Sequence, residues 1–317
     1  MKKVRFCILG TNFISDNFVD AAKRLDNVEV AAIYSRKFDT GADFAKKHSI
    51  DKVFTDYRKV LACDNIDAVY VATPTFLHCE HTVLALNAGK HVLCEKSIAS
   101  DYEEFIKMKT AADRSGCVFL EAMRTAFDPA LDLIRQNISK IGRIRRASFE
   151  FCKYSSRYDK FKRGIIENAF NPIIKNSSLS DLGVYPLWLM VALFGEPLRI
   201  VRDSVSLSNG FEGAGALLLG YDNMIATVTY SKITDGFLPS VIEGEEGSIL
   251  IDKISEPSRI TLNLRGKTPK TLDYHRESNN MVYEIKAFAE MIDGRISAQP
   301  YIKITESVIR LMTQIQT

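Results

Sequence analysis

In the first part of the chain, apolar positions come in short runs rich in β-branched residues, separated by longer stretches in which they recur every three or four positions. Residues 4–9, 28–34, 68–72, 91–94 and 118–120 form such runs, with a weaker one near Val53. Between the first two, Ile14, Phe18, Ala21, Ala22 and Leu25 mark one face of a helix, so 4–34 reads as strand, helix, strand. A second helix is expected over 76–88, closed by Gly89, which takes left-handed geometry without steric cost. A third opens at Ser100, with Glu103 placed as in a capping box, and ends near Gly116. This alternation predicts a parallel sheet wound with helices.

Beyond residue 122 the pattern changes. After a helix expected over 129–138, β-type runs follow one another at 144–153, 215–221, 224–230, 241–243, 248–251 and 259–264. Polar turns such as Tyr221-Asp222-Asn223 and Glu245-Glu246-Gly247 join them, as in antiparallel sheets. A helix over 184–193 interrupts the series, and two more, over 281–292 and 302–314, close the chain. The expected class is α/β plus α+β. Residues 1–122 form a Rossmann doubly wound parallel sheet, and 123–317 an open, mostly antiparallel sheet with helices on one face. No internal repeat and no Pro/Gly/Ser-rich linker separates the two parts, so they are expected to be in close contact.

Length supports two domains, since 317 residues exceed the size at which single cores stop growing. With 46% hydrophobic and 26% charged residues, the composition is that of a globular protein. The 42 Lys and Arg against 39 Asp and Glu leave a net charge of +3 with the cations scattered, so neither nucleic acid nor membrane is the expected partner, and a small molecule is. The six cysteines sit mostly inside apolar runs and form no C-x-x-C pair or metal-ligand spacing; they read as buried free thiols, and no metal is expected. The apolar segment after Met1-Lys2-Lys3 is too short for a signal sequence or a span, and cytoplasmic residence is expected.

Candidate chemistry concentrates at strand ends. After the first strand stands Gly10-Thr11-Asn12-Phe13-Ile14-Ser15, where dinucleotide-binding proteins carry G-x-G-x-x-G/A, and only the first glycine is present. Backbone N–H groups of this turn and of the helix start behind it suit a pyrophosphate. Asn12, at the second glycine position, tolerates unusual turn conformations better than most residues, and Ser15 is small enough for close helix packing. The second strand ends at Ser35-Arg36-Lys37, without the acid that would accept from a ribose 2′-hydroxyl. A hydroxyl and two cations suit a 2′-phosphate, which favours NADP(H) over NAD(H); a solvated pair of loop cations is the plainer alternative.

Two later segments carry a resemblance. Ala72-Thr73-Pro74-Thr75-x-x-His78 is followed by Ala88-Gly89-Lys90-His91-Val92-Leu93-Cys94-Glu95-Lys96-Ser97, and further on by Ser180-Asp181-Leu182-Gly183-Val184-Tyr185-Pro186. With Gly10 and Glu121-Ala122-Met123, their order and spacing resemble the Gfo/Idh/MocA oxidoreductase family over essentially the whole chain. The tyrosine in the second motif is most similar to the dihydrodiol dehydrogenase and glucose-fructose oxidoreductase type.

The resemblance implies NADP(H)-dependent hydride transfer to or from a carbonyl or hydroxyl of a sugar-like or diol substrate. It implies that Thr73, Pro74 and His78 line the cofactor cleft, and that Glu95 and Lys96 match the family's Glu-Lys-Pro signature, with the lysine facing both nicotinamide ribose and substrate. Tyr185 falls at the acid/base position, with Asp181 and Arg124 beside the substrate, and a homodimer through the C-terminal sheet is implied. The chemistry agrees: hydride transfer to a carbonyl leaves an alkoxide that a phenol can protonate, and a nearby ammonium lowers the phenol's ordinary value of about 10. The chain departs from the family at Asn12, at Ser97 in place of proline, at Lys175-Asn176-Ser177 in place of consecutive glycines, at Trp188 where histidine-type members have a second aspartate, and at Ala126 where some relatives carry arginine. The alternative is a non-catalytic dinucleotide-binding sensor on the same scaffold; retention of both Lys96 and Tyr185 weighs for the enzyme.

Overall fold

The computed structural model describes residues 3–316. Six strands form one parallel sheet: β1 (Val4–Leu9), β2 (Val28–Tyr34), β3 (Lys52–Phe54), β4 (Ala68–Val71), β5 (His91–Glu95) and β6 (Phe119–Ala122). Their order is β3-β2-β1-β4-β5-β6. Helices α1 (Phe13–Ala22), α2 (Phe38–His48), α3 (Tyr57–Leu61), α4 (His78–Asn87) and α5 (Tyr102–Ser115) connect them. β4 is buried at every residue, as two-sided cover by helices demands, and this is why the strand reads as an unbroken apolar run. The order reverses between β1 and β4, the place where sheets of this kind take their ligands.

Two of these helices escape the hydrophobic pattern. α2 carries Gly41 in its interior, and a Cβ there would stand 2.8 Å from the Val53 side chain. The residue that weakens the helical signal is therefore the one that lets α2 lie close to β3. α3 has 5 residues, too few to show a stripe. α5 starts one residue later than expected. Asp101, not Ser100, is its cap, accepting from Glu104 N at 2.9 Å, while the Glu104 carboxylate accepts from Ser100 N at 3.1 Å.

The second sheet holds β7 (Ile144–Cys152), β8 (Arg199–Ser206), β9 (Glu212–Gly220), β10 (Ile225–Ser231), β11 (Ser240–Gly244), β12 (Gly247–Ile251), β13 (Ile260–Leu264) and β14 (Lys270–Leu272). Its order is β14-β13-β12-β11-β7-β10-β9-β8; β7 and β10 pair parallel and the other neighbours antiparallel. Helices α6 (Pro129–Asn137), α7 (Tyr158–Lys162) and α8 (Val184–Phe194) accompany it, with α8 packed on β7 and β10. The edge strands β8 and β14 were not expected. β8 carries Arg199, Arg202 and Asp203, and its Val201 and Val205 are exposed, so it lacks the apolar alternation of a half-buried strand. β14 has 3 residues.

The chain continues into α9 (Met281–Ile292) and α10 (Gln299–Gln316) and divides into two compact units. The first holds residues up to Met123 together with Glu277–Lys303; the second holds Arg124–Arg276 and residues from Ile304 onward. The first boundary lies one residue from the 122/123 break expected from sequence. Residues 277–303 instead join the first unit because α9 covers α1: Phe288 meets Phe6 at 5.8 Å between ring centroids, and Asn279 Nδ2 donates to Asn17 O at 2.8 Å. Among the described residues, no helix is long and apolar enough to cross a membrane.

Candidate active site

β1 delivers Gly10 to the point where the sheet order reverses. Gly10 has φ +111°, and a Cβ there would stand 2.7 Å from Ala72 O at the end of β4, so conformation and space both reserve the position for glycine. Asn12 links the same two strand ends. Its Nδ2 donates to Ala72 O at 2.8 Å, while its Oδ1 accepts from the N–H groups of Ile14 at 3.0 Å and Ser15 at 3.2 Å. The expectation that Asn12 serves by tolerating an unusual turn is corrected: its φ of −87° is ordinary, and the position uses the side-chain amide to cap α1. Ser15 is fully buried and its Oγ donates to Gly10 O at 2.9 Å, while Phe13 stands exposed.

At the end of β2, Ser35 is buried. Its Oγ donates to Lys37 O at 2.9 Å, which braces the turn. Arg36 and Lys37 extend from that turn as exposed cations, with no ion-pair partner among the described residues. Next to them His81 is buried, its Nδ1 at 3.1 Å from Thr73 Oγ1 and its ring edge-on to Tyr34 and Tyr57. Burial first, and the Arg36 charge in addition, hold this histidine below its ordinary range.

The ends of β4 and β5 are tied together by His78. Its Nε2 lies 2.7 Å from Thr73 O and its Nδ1 3.1 Å from Ser97 O. Burial lowers its pKa to about 4, so near pH 7 the neutral ring carries one N–H and donates to one of these two carbonyls, while the ring itself sits between the loop of Thr73 and half-buried Pro74 and the segment after Lys96. Glu95, buried at the end of β5, accepts from the Tyr70 hydroxyl, and Tyr70 is itself stacked on Phe18 at 4.0 Å. Lys96, half-buried, is thus flanked by two anchored residues, and the peptide joining it to Ser97 is cis. The first unit gathers Gly10, Asn12, Thr73, His78, Glu95 and Lys96 at the ends of three neighbouring strands, with Ser35, Arg36 and Lys37 at the end of the next.

In the second unit, Leu179–Gly183 form a π-helical turn directly before α8, a geometry common at functional sites. Asp181 lies within it, and Tyr185 follows four residues later, buried, with its ring edge-on to Phe151 at 5.5 Å. The turn is pressed onto the sheet. A Cβ on Gly183 would stand 2.8 Å from the Tyr230 ring, and Ser178 Oγ donates to Gly213 O at 2.7 Å. Asp181 pairs with Lys232 at 2.8 Å. Lys232 was missed because a lysine just after a strand carries the same sequence signal whether buried or solvated. Arg124 pairs with Glu256 in the loop between β12 and β13. Lys175 takes φ +54°, a left-handed conformation that costs a non-glycine residue about 1–2 kcal/mol.

Residues 4–123 match a family described as oxidoreductase family, NAD-binding Rossmann fold. The chain is 40% identical over 289 residues, 91% of its length and 88% of the relative's, to scyllo-inositol 2-dehydrogenase (NADP(+)) IolU of Bacillus subtilis (strain 168). It is 26% identical, covering 96% of this chain and 92% of the relative, to trans-1,2-dihydrobenzene-1,2-diol dehydrogenase of Mus musculus. Among solved structures, it superposes with TM-score 0.89 and 21% identity on KijD10, a 3-ketoreductase from Actinomadura kijaniata in complex with NADP and TDP-benzene, over 99% of this chain and 97% of that one. That likeness establishes the shared fold.

Proposed function

The chain belongs to the Gfo/Idh/MocA oxidoreductase family and is an NAD(P)-dependent dehydrogenase or reductase acting on CH–OH groups, and on that premise we propose that its cofactor is NADP(H) and its substrate a polyol or sugar-like diol. The observation that carries the cofactor assignment is the end of β2, where Arg36 and Lys37 stand exposed beside Ser35 and no acidic side chain takes the place of a 2′-hydroxyl partner. Two donors of fixed positive charge fit a 2′-phosphate and gain nothing from a ribose hydroxyl. The named activity of the Bacillus subtilis relative, an NADP(+)-dependent inositol dehydrogenase, supports both halves of the proposal.

In this proposal Thr11, Asn12 and Phe13 hold the pyrophosphate, since the Ile14 and Ser15 N–H groups already bond to Asn12. Thr73, Pro74 and Glu95 bound the nicotinamide end, with His78 fixing their loop. When bound, the nicotinamide supplies the hydride acceptor or donor. Tyr185 moves the proton at the substrate oxygen, Lys96 supplies the cation that favours its phenolate, and Asp181 and Arg124 orient further substrate hydroxyls.

Absorbance at the reduced nicotinamide band, measured with NADP or NADPH and a panel of inositols, their ketones, aldoses and vicinal diols, tests the proposal. Turnover with at least one is expected; tight NADPH binding without any turnover would favour a sensor. Arg36→Ala is expected to weaken NADPH by about 10–100-fold, the scale of one or two charge-assisted hydrogen bonds, and NADH hardly at all. Equal losses for both would refute the 2′-phosphate assignment.

We place a homodimer contact on the outward face of the eight-stranded sheet. Val201 and Leu218 face each other there, and Val205 and Ile225 share their face; all four are exposed apolar side chains. Light scattering should give a dimer for the wild type and a monomer for Val201→Asp/Leu218→Asp. A wild-type monomer would remove this assignment.

A further inference from the structure

We infer that Lys232 is a positioning residue of the substrate site that acts through Asp181, an inference resting on the reading of Asp181 as a substrate-binding group. It starts from a mismatch in exposure: the Lys232 side chain is 4% exposed and that of Asp181 35%. A buried ammonium persists only with compensating partners. Lys232 Nζ has Asp181 Oδ2 at 2.8 Å, Ala169 O at 2.8 Å, and the rings of Phe170 and Phe211 at 5.1 and 5.4 Å. The charge is therefore anchored inside the second unit while the carboxylate it holds reaches towards solvent.

The backbone around the pair closes the same clasp. Lys232 N donates to Gly213 O at 2.9 Å, and Ser178 Oγ donates to that same carbonyl at 2.7 Å. Ser155 N donates to Lys232 O at 2.9 Å. The π-helical turn is thus held to the strand ends of β9 and β10 at Ser178, at Asp181 and, through the close approach to Tyr230, at Gly183. Asp181 and Tyr185 are four positions apart, about one helical turn, so the grip on Asp181 also sets the turn from which Tyr185 projects. With its charge compensated from beneath, the Asp181 carboxylate remains an acceptor for a substrate hydroxyl at a fixed place.

A double-mutant cycle tests this, with Lys232→Met and Asp181→Asn made singly and together, and with KM, kcat, NADPH affinity and thermal midpoint read for each. Lys232→Met is expected to raise KM for the polyol by about tenfold or more, the scale of a lost charged hydrogen bond, with a smaller change in kcat and NADPH affinity within about twofold of wild type. The double variant should then match Asp181→Asn in KM, because no carboxylate is left for the lysine to position. A lysine that served only to stabilise the unit would lower the thermal midpoint and multiply its KM effect with that of Asp181→Asn. That outcome, or an unchanged KM in Lys232→Met, would overturn the inference alone. Should Lys232→Met not fold, Lys232→Gln carries the same comparison. A folded wild type that binds NADPH and turns over no polyol would overturn the proposed function and this inference with it.

Discussion

Replacing Tyr185 by phenylalanine is expected to lower turnover by about 10²–10⁴, the usual scale for removing a general acid or base, while NADPH affinity stays close to wild type. The expectation rests on what the change preserves. Phenylalanine retains the ring that packs edge-on against Phe151 at 5.5 Å, so α8 keeps its seat on the sheet, and the cofactor contacts proposed for Gly10 through Phe13 and Ser35 through Lys37 lie in the other unit. Only the phenolic oxygen is lost. Steady-state kcat beside a fluorescence titration with NADPH separates the two effects, and wild-type turnover in this variant would remove Tyr185 from proton transfer.

Lys96→Met should be nearly as costly, and costly in a pH-dependent way. In the proposed mechanism, oxidation of an alcohol needs the proton-accepting form of the Tyr185 phenol, and a positive charge supplied by Lys96 would favour that form by about 1–3 pH units. Removing the ammonium is expected to displace the rise of oxidative turnover with pH upward by about that amount, and so to lower activity at neutral pH by about 10–1000-fold. The backbone near Lys96 should survive, because its neighbours are held independently, Glu95 by Tyr70 and Ser97 by His78. Full pH–rate profiles of both proteins decide the matter: a uniform drop with no displacement of the profile would mean that Lys96 serves binding alone.

The parts of the fold legible in the sequence are those where burial imposes a period. β1, β2 and β10 announce themselves by apolar runs or alternation, and the parallel sheet follows from helices between such runs. α2 is hidden because packing against β3 requires Gly41 in its middle, and β8 because an edge strand does not need an apolar face. The candidate site divides in the same way. Gly10 and the cations after β2 are visible because each stands directly after an apolar run, where a residue type that breaks the pattern can be read locally. The bond from Asn12 to the end of β4 and the buried charge on Lys232 depend on partners 60 and 51 positions away, Ala72 and Asp181, and nothing local marks either contact.

The discontinuity of the first unit bears on how the protein is made. Its amino-terminal sheet is complete once β6 has been synthesised, yet α1 and the β1 side chain of Phe6 wait for α9, which packs on α1 and brings Phe288. A ribosome must therefore add every residue of the second sheet before the first core can be sealed. Until then the nascent chain holds an unfinished apolar surface, the kind of transient exposure that favours aggregation during synthesis.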